Sequence, residues 1–241
     1  MKVKLLLLTA VLISALLPHT IYADTLTLQP GSDGYDTYIG WSGSTPTSTG
    51  IHGGEGSILV EKRAFGSKNA QGLIRFDIPS ILDGTTVTDA TLGLYLYSSF
   101  VDPGTKINIH KVTSSWDEST ELPNAPLYDS IPLLSFAPLE HVGEPDYMGG
   151  KAPYWVELDI TGAFTNWLNG TWDNYGILLE IAGNETTVLF YSSDYTNDAT
   201  LRPKVEIDYS AATPTPIPGA VYLLGSGLFG LIGLRKKFSG R

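Results

Sequence analysis

The chain contains no cysteine. Disulfides, thiol nucleophiles and cysteine-ligated zinc are therefore excluded, and the fold must rest on its own core or on a bound ion. About 190 residues lie between the two ends of the chain, enough to bury roughly 70% of the unfolded surface. Histidine is scarce as well, with His19, His52, His110 and His141 scattered and none at H-x-x-x-H spacing. No G-x-S-x-G or phosphate-loop sequence occurs. Carboxylates are plentiful, but plenty alone does not single out a catalytic pair. The expectation is a protein that is not an enzyme.

Basic residues are few in the body of the chain. Lys2 and Lys4 precede the first apolar run, and Arg235, Lys236, Lys237 and Arg241 follow the last. Residues 24–219 keep 9 of the 15 basic residues and all 25 acidic ones, a net of −16. Such a surface repels phosphate backbones, so nucleic acid is not an expected partner. It attracts cations and keeps an exported protein in solution.

Long apolar runs are confined to the two ends. MKVK is basic, Leu5 to Leu17 is apolar, and Ile21-Tyr22-Ala23 offers a small-residue cleavage site, so residues 1–23 are expected to be a signal peptide. At the other end, residues 211–218 form a Pro/Thr linker of extended, polyproline-like character. Ala220 to Leu234 is an apolar run closed by Arg235-Lys236-Lys237. Fifteen helical residues span about 22 Å, slightly short of a roughly 30 Å hydrocarbon core. The basic cluster would stay cytoplasmic by the positive-inside rule. Gly225-Ser226-Gly227-Leu228-Phe229-Gly230 spells a dinucleotide fingerprint but has no strand before it, so its glycines read as a close helix-contact face.

Between the ends, apolar residues alternate with a period of two. Ile74, Phe76 and Ile78 point one way against Leu73, Arg75 and Asp77. Leu92, Leu94 and Leu96 oppose Gly93, Tyr95 and Tyr97, and Ile107 and Ile109 oppose Asn108 and His110. Val156, Leu158 and Ile160 oppose Trp155, Glu157 and Asp159. YGILLEIAG, TTVLFYSS and PKVEIDY complete the set, with Gly, Pro, Asn and Asp clusters between. Many short half-buried strands predict an all-β fold, a jelly-roll β-sandwich over residues 24–210. One short connector helix is expected in DITGAFTNWLNG, with Thr161 as N-cap and Gly170 beyond its end. Residues 121–153 carry six prolines and little periodicity, and are expected to be a long loop packed on the sandwich.

The order of DTYIG, LIRFDIP, TVTDATLGLYLY, INIHKVTSSWDEST, WVELDITGAFTNWLNG, NYGILLEI and LFYSSDYTNDATLRPKVEIDY resembles the DNRLRE domain family, related to carbohydrate-binding module family 96. The resemblance covers residues 25–209. It implies a jelly-roll fold and, as in members that accompany polysaccharide lyases, binding of extracellular polysaccharide, including acidic glycans. Where that family commonly has a basic residue before the closing strand, this chain has Ser192-Ser193-Asp194. Residues 219–241 resemble a PEP-CTERM sorting signal, with Pro216, Pro218, Gly219, Arg235, Lys236 and Lys237 as its motif. That resemblance implies a transient transmembrane anchor, cleavage by an exosortase-type protease, and a final place at the cell surface or outside the cell.

If their strands are neighbours, Arg75, Tyr95, Tyr97, Asn108 and His110 share one face. There, aromatic rings would stack on sugars while amides and charges bind hydroxyls or carboxylates. The alternative is that residues 121–153 cover that face. Trp41, in a glycine-rich loop, is a second aromatic candidate. Asp33 and Asp36 place two carboxylates three apart, a candidate structural Ca²⁺ site or an ordinary Asx turn. Two functions remain open: a glycan-binding module, or a structural envelope or matrix protein with no small-ligand site.

Overall fold

A computed structural model describes residues 23–210, apart from 32–33, 43–51, 64–67, 120–123 and 144–149. The signal segment and the sorting tail, with Pro216, Pro218, Gly219, Arg235, Lys236 and Lys237, lie outside the described residues. Eleven strands are present among those described. They are β1 (Ala23–Leu28), β2 (Gly34–Ser42), β3 (Ser57–Lys62), β4 (Lys68–Phe76), β5 (Thr86–Val101), β6 (Lys106–Lys111), β7 (Leu134–Phe136), β8 (Tyr154–Asp159), β9 (Ile177–Ala182), β10 (Thr186–Tyr191) and β11 (Lys204–Ser210). One α-helix, α1 (Thr161–Leu168), lies between β8 and β9.

The strands form one antiparallel, hydrogen-bonded sheet in the order β1-β11-β5-β10-β3-β4-β9-β6-β7, with β2 added to β4 and β8 to β5. The expected all-β architecture is present, built from a single curled sheet. Its two halves meet at a narrow seam, where β3 and β4 pair only through Glu61–Ala70 and Lys62–Asn69. One core joins them. Ile58, Val60, Leu92, Leu94, Leu96, Val188, Phe190, Val205 and Ile207 come from the first half, and Ile74, Ile107, Ile109, Leu179 and Ile181 from the second. The period-2 pattern has this cause: the strands turn alternate residues to this core, and burying a large aliphatic side chain is worth about 1.5–3 kcal/mol.

Two local expectations need correction. Thr161 is not the N-cap but the first residue of α1; its Oγ1 accepts from Ala90 N–H at 2.9 Å. Its backbone N–H donates instead to Asp159 Oδ1 at 2.8 Å, so the preceding carboxylate supplies the capping acceptor. Gly170 does follow the helix in left-handed conformation, φ +68°, with its N–H on Trp167 O. The proline-rich stretch expected as loop contains β7, paired to β6 through Ile107–Phe136 and Ile109–Leu134.

Candidate functional site

The strand order separates the residues expected on one face. Tyr95 and Tyr97 lie on β5, whose neighbours are β11, β10 and β8. Arg75 lies on β4, and Asn108 and His110 on β6, in the other half of the sheet. The single constellation therefore becomes two outward faces.

The face of the second half is built by register. Trp41 pairs with Asn69, Ile39 with Gln71 and Tyr35 with Arg75. Leu73 pairs with Leu178, which also pairs with His110, while Glu180 pairs with Asn108. A satellite cluster covers the middle of this face: Trp116 and Val112 close over Ile39, Leu73 and Leu178, with Ala125 and Tyr128 against them. Two of the expected ligand residues on this face are engaged by other protein groups, Arg75 at a part-exposed position and His110 at a buried one. Arg75 donates to Tyr35 Oη at 2.8 Å and pairs with Asp77 at 3.1 Å, and Tyr35 in turn donates to Trp116 O at 2.7 Å. His110 is only 2% exposed, with Nδ1 2.8 Å from Asp129 O and Nε2 3.5 Å from Glu180. The outward phase of His110 is as expected, but the long connection packs over it. Asn108 is half-buried and accepts from Ser135 Oγ at 2.7 Å.

On the face of the first half, Tyr95 and Tyr97 join an aromatic array. Tyr95 meets Trp155 edge-on at 5.3 Å, and Tyr97 stacks on Tyr191 at 4.4 Å. Tyr195 closes the opposite side of that stack at 3.6 Å. Lys204 Nζ lies 4.7 Å from the Trp155 ring centre. A hydrogen bond with Tyr195, then burial, pushes the Tyr191 hydroxyl up to about 12. The rings are half-buried, and the contacts that hold Tyr95 and Tyr97 come from β8 and β10.

A cleft of about 220 Å³ lies beside Lys111, Trp172 and Tyr175. Another concave region lies at the seam. A cleft of about 200 Å³ is lined by Tyr38, Trp41, His52, Leu59, Glu61, Lys68 and Asn69. A second, of about 120 Å³, is lined by Trp41, Glu61, Lys62, Asn69, Gln71 and Glu180. Trp41, Glu61, Asn69 and Ala70 border both, so the two clefts adjoin along one groove that the indole lines. The polar lining is held in place. Glu61 accepts from Arg63 at 2.7 Å and Thr187 at 2.9 Å, Gln71 donates to Glu180 at 3.0 Å, and Lys62 donates to Gly183 O at 2.8 Å. Tyr38 stacks on His52 at 4.0 Å and donates to Glu55; burial, then that bond, raises its hydroxyl pKa. Each cleft is smaller than the roughly 300–1,000 Å³ of pockets that enclose a drug-sized ligand. The groove suits a chain lying along the surface better than a small molecule swallowed whole.

Of the two expected metal ligands, Asp33 lies outside the described residues. Asp36 is 1% exposed. Its Oδ2 accepts from Ser193 N–H at 2.8 Å, while its Oδ1 is buried without a hydrogen-bond partner. Burial, with the charges of Asp194 and Glu118 added to it, pushes this carboxyl up to about 7.

The model of carbohydrate-binding module family 96 matches residues 32–208. That span includes both faces, the groove and Asp36. The chain belongs to carbohydrate-binding module family 96. No curated protein matches it. Membership makes the domain a carbohydrate-binding module, a class that is typically non-catalytic.

Several residues of this family 96 module escaped the sequence reading. Asn69, Glu61 and Lys68 reach the Trp41 groove from different strands, and no local spacing joins them. Tyr191 was legible in principle, since it alternates with the buried Phe190 and Val188 and must point outward.

Proposed function

We propose that this module is an exported, non-catalytic polysaccharide-binding unit whose ligand lies in the seam groove across Trp41. The observation that carries the reading is the groove itself: one indole lining two adjoining clefts, with an amide, carboxylates and lysines along the walls. An aromatic face takes the CH surface of a sugar ring, and rigid polar groups beside it bind the hydroxyls. Lys62 and Lys68 lie in the same groove as Glu61 and Glu180, so neutral and acidic glycans both belong among the candidate ligands. The array of Tyr95, Tyr97 and Trp155 is a second aromatic surface on the other half, available to a longer chain. A glycan-array screen with the purified protein tests the reading; binding to no polysaccharide leaves the structural envelope or matrix role.

The proposed location rests on the sequence of the two ends. The signal segment exports the chain, the tail holds it in the membrane, and an exosortase-type protease releases it to the surface or matrix. Cell fractionation tests this. Deleting residues 219–241 is expected to shift the protein from membrane and surface to medium, and an unchanged distribution contradicts it.

A further inference from the structure

His110 is buried, yet its Nε2 has no hydrogen-bond partner. Nδ1 lies 2.8 Å from Asp129 O, and a carbonyl oxygen only accepts. The proton of the neutral ring is therefore held on Nδ1, which leaves Nε2 a bare acceptor. Buried acceptors are ordinarily paired, because an unpaired one loses its water with nothing in return. What Nε2 faces is a second acceptor, Glu180 Oε2 at 3.5 Å. A neutral ring sets lone pair against lone pair across that gap. A proton on Nε2 turns the same contact into a charge-assisted hydrogen bond.

Glu180 connects this buried ring to the groove. It is part-exposed and lines the cleft with Trp41, Glu61, Lys62, Asn69 and Gln71. Register brings it to His110: on the β6–β9 pair, Leu178 lies opposite His110 and Glu180 opposite Asn108, so His110 and Glu180 are diagonal neighbours on one face. Glu180 Oε1 is held from the other side, accepting from Gln71 at 3.0 Å and from the Tyr128 hydroxyl at 3.4 Å. One oxygen is thus clamped at the groove wall and the other faces the imidazole. Tyr128 packs edge-on against the ring at 5.2 Å, and burial raises its hydroxyl pKa, so it stays a donor at neutral pH. Asp129 gives His110 its backbone oxygen, while its carboxylate lies 2.9 Å from Lys111. Gln71, on β4, carries no charge. Among the described residues, Glu180 is the carboxylate left facing the ring.

We infer that His110 is a positioning residue whose protonation sets how strongly the groove repels acidic glycans. This rests on the reading of the groove as the glycan site. Lys62 and Lys68 on its walls attract an acidic sugar, and Glu61 and Glu180 oppose it. Protonated His110 holds Glu180 in an ion pair and cancels its charge at the wall. Neutral His110 leaves that charge in place beside Trp41. Histidine ordinarily changes charge between about pH 5 and 8. Carboxylates of ordinary acidity stay ionised over most of that window. The sign follows: acidic glycans gain affinity as pH falls from about 8 to 5.5, and neutral glycans do not. His52 also lines the groove, but its Nδ1 is paired with Glu55 and its ring is stacked on Tyr38.

The test titrates the full chain with alginate and polygalacturonate as acidic probes and with laminarin and hydroxyethylcellulose as neutral ones. Ionic strength is fixed and pH is set between about 5.5 and 8. An acidic probe is expected to bind the parent at least about threefold more tightly at the low end than at the high end. Neutral probes should change by less than about twofold. Glu180→Gln should bind the acidic probe at high pH as tightly as the parent does at low pH, with a flat profile. His110→Asn, whose amide still donates to Asp129 O, should be flat at the parent's weaker, high-pH level. Imidazole ¹⁵N and Glu180 carboxyl ¹³C resonances of the parent without glycan should titrate together, from an Nδ1–H ring at high pH. That measurement keeps the test decisive if His110→Asn does not fold. A Glu180 resonance that ignores the ring overturns the pairing. A flat parent profile, binding confined to neutral probes at every pH, or a pH dependence undiminished in Glu180→Gln overturns the role of His110 and leaves the groove standing. Binding of no probe at any pH overturns the groove reading, and this regulation with it.

Discussion

Tyr97 and Tyr191 lie nearly parallel, ring centres 4.4 Å apart, one on β5 and the other on β10. Tyr195 covers the opposite side of Tyr191. Both faces of Tyr191 are thus occupied by protein, and its edge is what remains. Tyr191→Ala is expected to lower stability by about 1–3 kcal/mol, from lost stacking and lost apolar area. Affinity for a glycan held at Trp41 should stay within about twofold, since Tyr191 does not line the groove. Chemical denaturation and a binding titration on the same preparation check both halves of this expectation.

Gly176 sits immediately before β9 at φ +79°, and a Cβ there would lie 2.2 Å from Ile74 O. No side-chain rotation relieves a clash with backbone. Gly176→Ala should cost at least about 2 kcal/mol. In a domain of this size that corresponds to a fall of about 4–8 °C in melting temperature. A scanning-calorimetry trace superimposable on that of the parent would refute it.

Helix α1 is held by Phe164, 1% exposed and packed in the main core. Phe164→Ala should cost about 3–5 kcal/mol. Urea unfolding measures it, and a loss below 1 kcal/mol would mean that α1 is not anchored through this ring.

Asp159 opens the same helix, and its carboxyl lies below the usual range because Thr161 donates to it from both hydroxyl and backbone. A carboxyl lowered by folding stabilises above its unfolded pKa, and that contribution is lost as pH falls through the folded value. Asp159→Asn should therefore melt below the parent at pH 7, with the difference shrinking as pH falls below the ordinary carboxylate range. A difference that persists unchanged into acid would show that the carboxylate charge is not the cause.

Much of the fold is legible in the chain because alternate burial writes itself as alternate hydrophobicity. Leu92, Leu94 and Leu96 against Tyr95 and Tyr97 is such a case, and the inward and outward assignments hold residue by residue. The pairing order is not written locally. Nothing in β4 or β6 indicates that β5 belongs to the other half of the sheet, so one expected face became two. His110 shows the same limit differently: its phase is outward, yet Tyr128, brought back by a long connection, packs edge-on against it at 5.2 Å. β7 is three residues long, below any window in which a period of two can be counted. Trp41 was visible as an aromatic in a glycine-rich stretch, but its partners Glu61 and Asn69 become its neighbours only through the β2–β4 and β3–β4 registers.

Affinity electrophoresis of the purified protein and of Trp41→Ala through gels containing neutral or acidic polysaccharides tests the central claim most directly, with melting curves run alongside. Removing a stacking aromatic at a binding hot spot commonly costs over 2 kcal/mol, about thirtyfold in affinity. The expected result is that at least one polysaccharide retards the parent, and that Trp41→Ala loses that retardation by about thirtyfold while the protein remains folded. Retardation of a folded Trp41→Ala equal to the parent's, or no retardation of the parent by any polysaccharide, would contradict it.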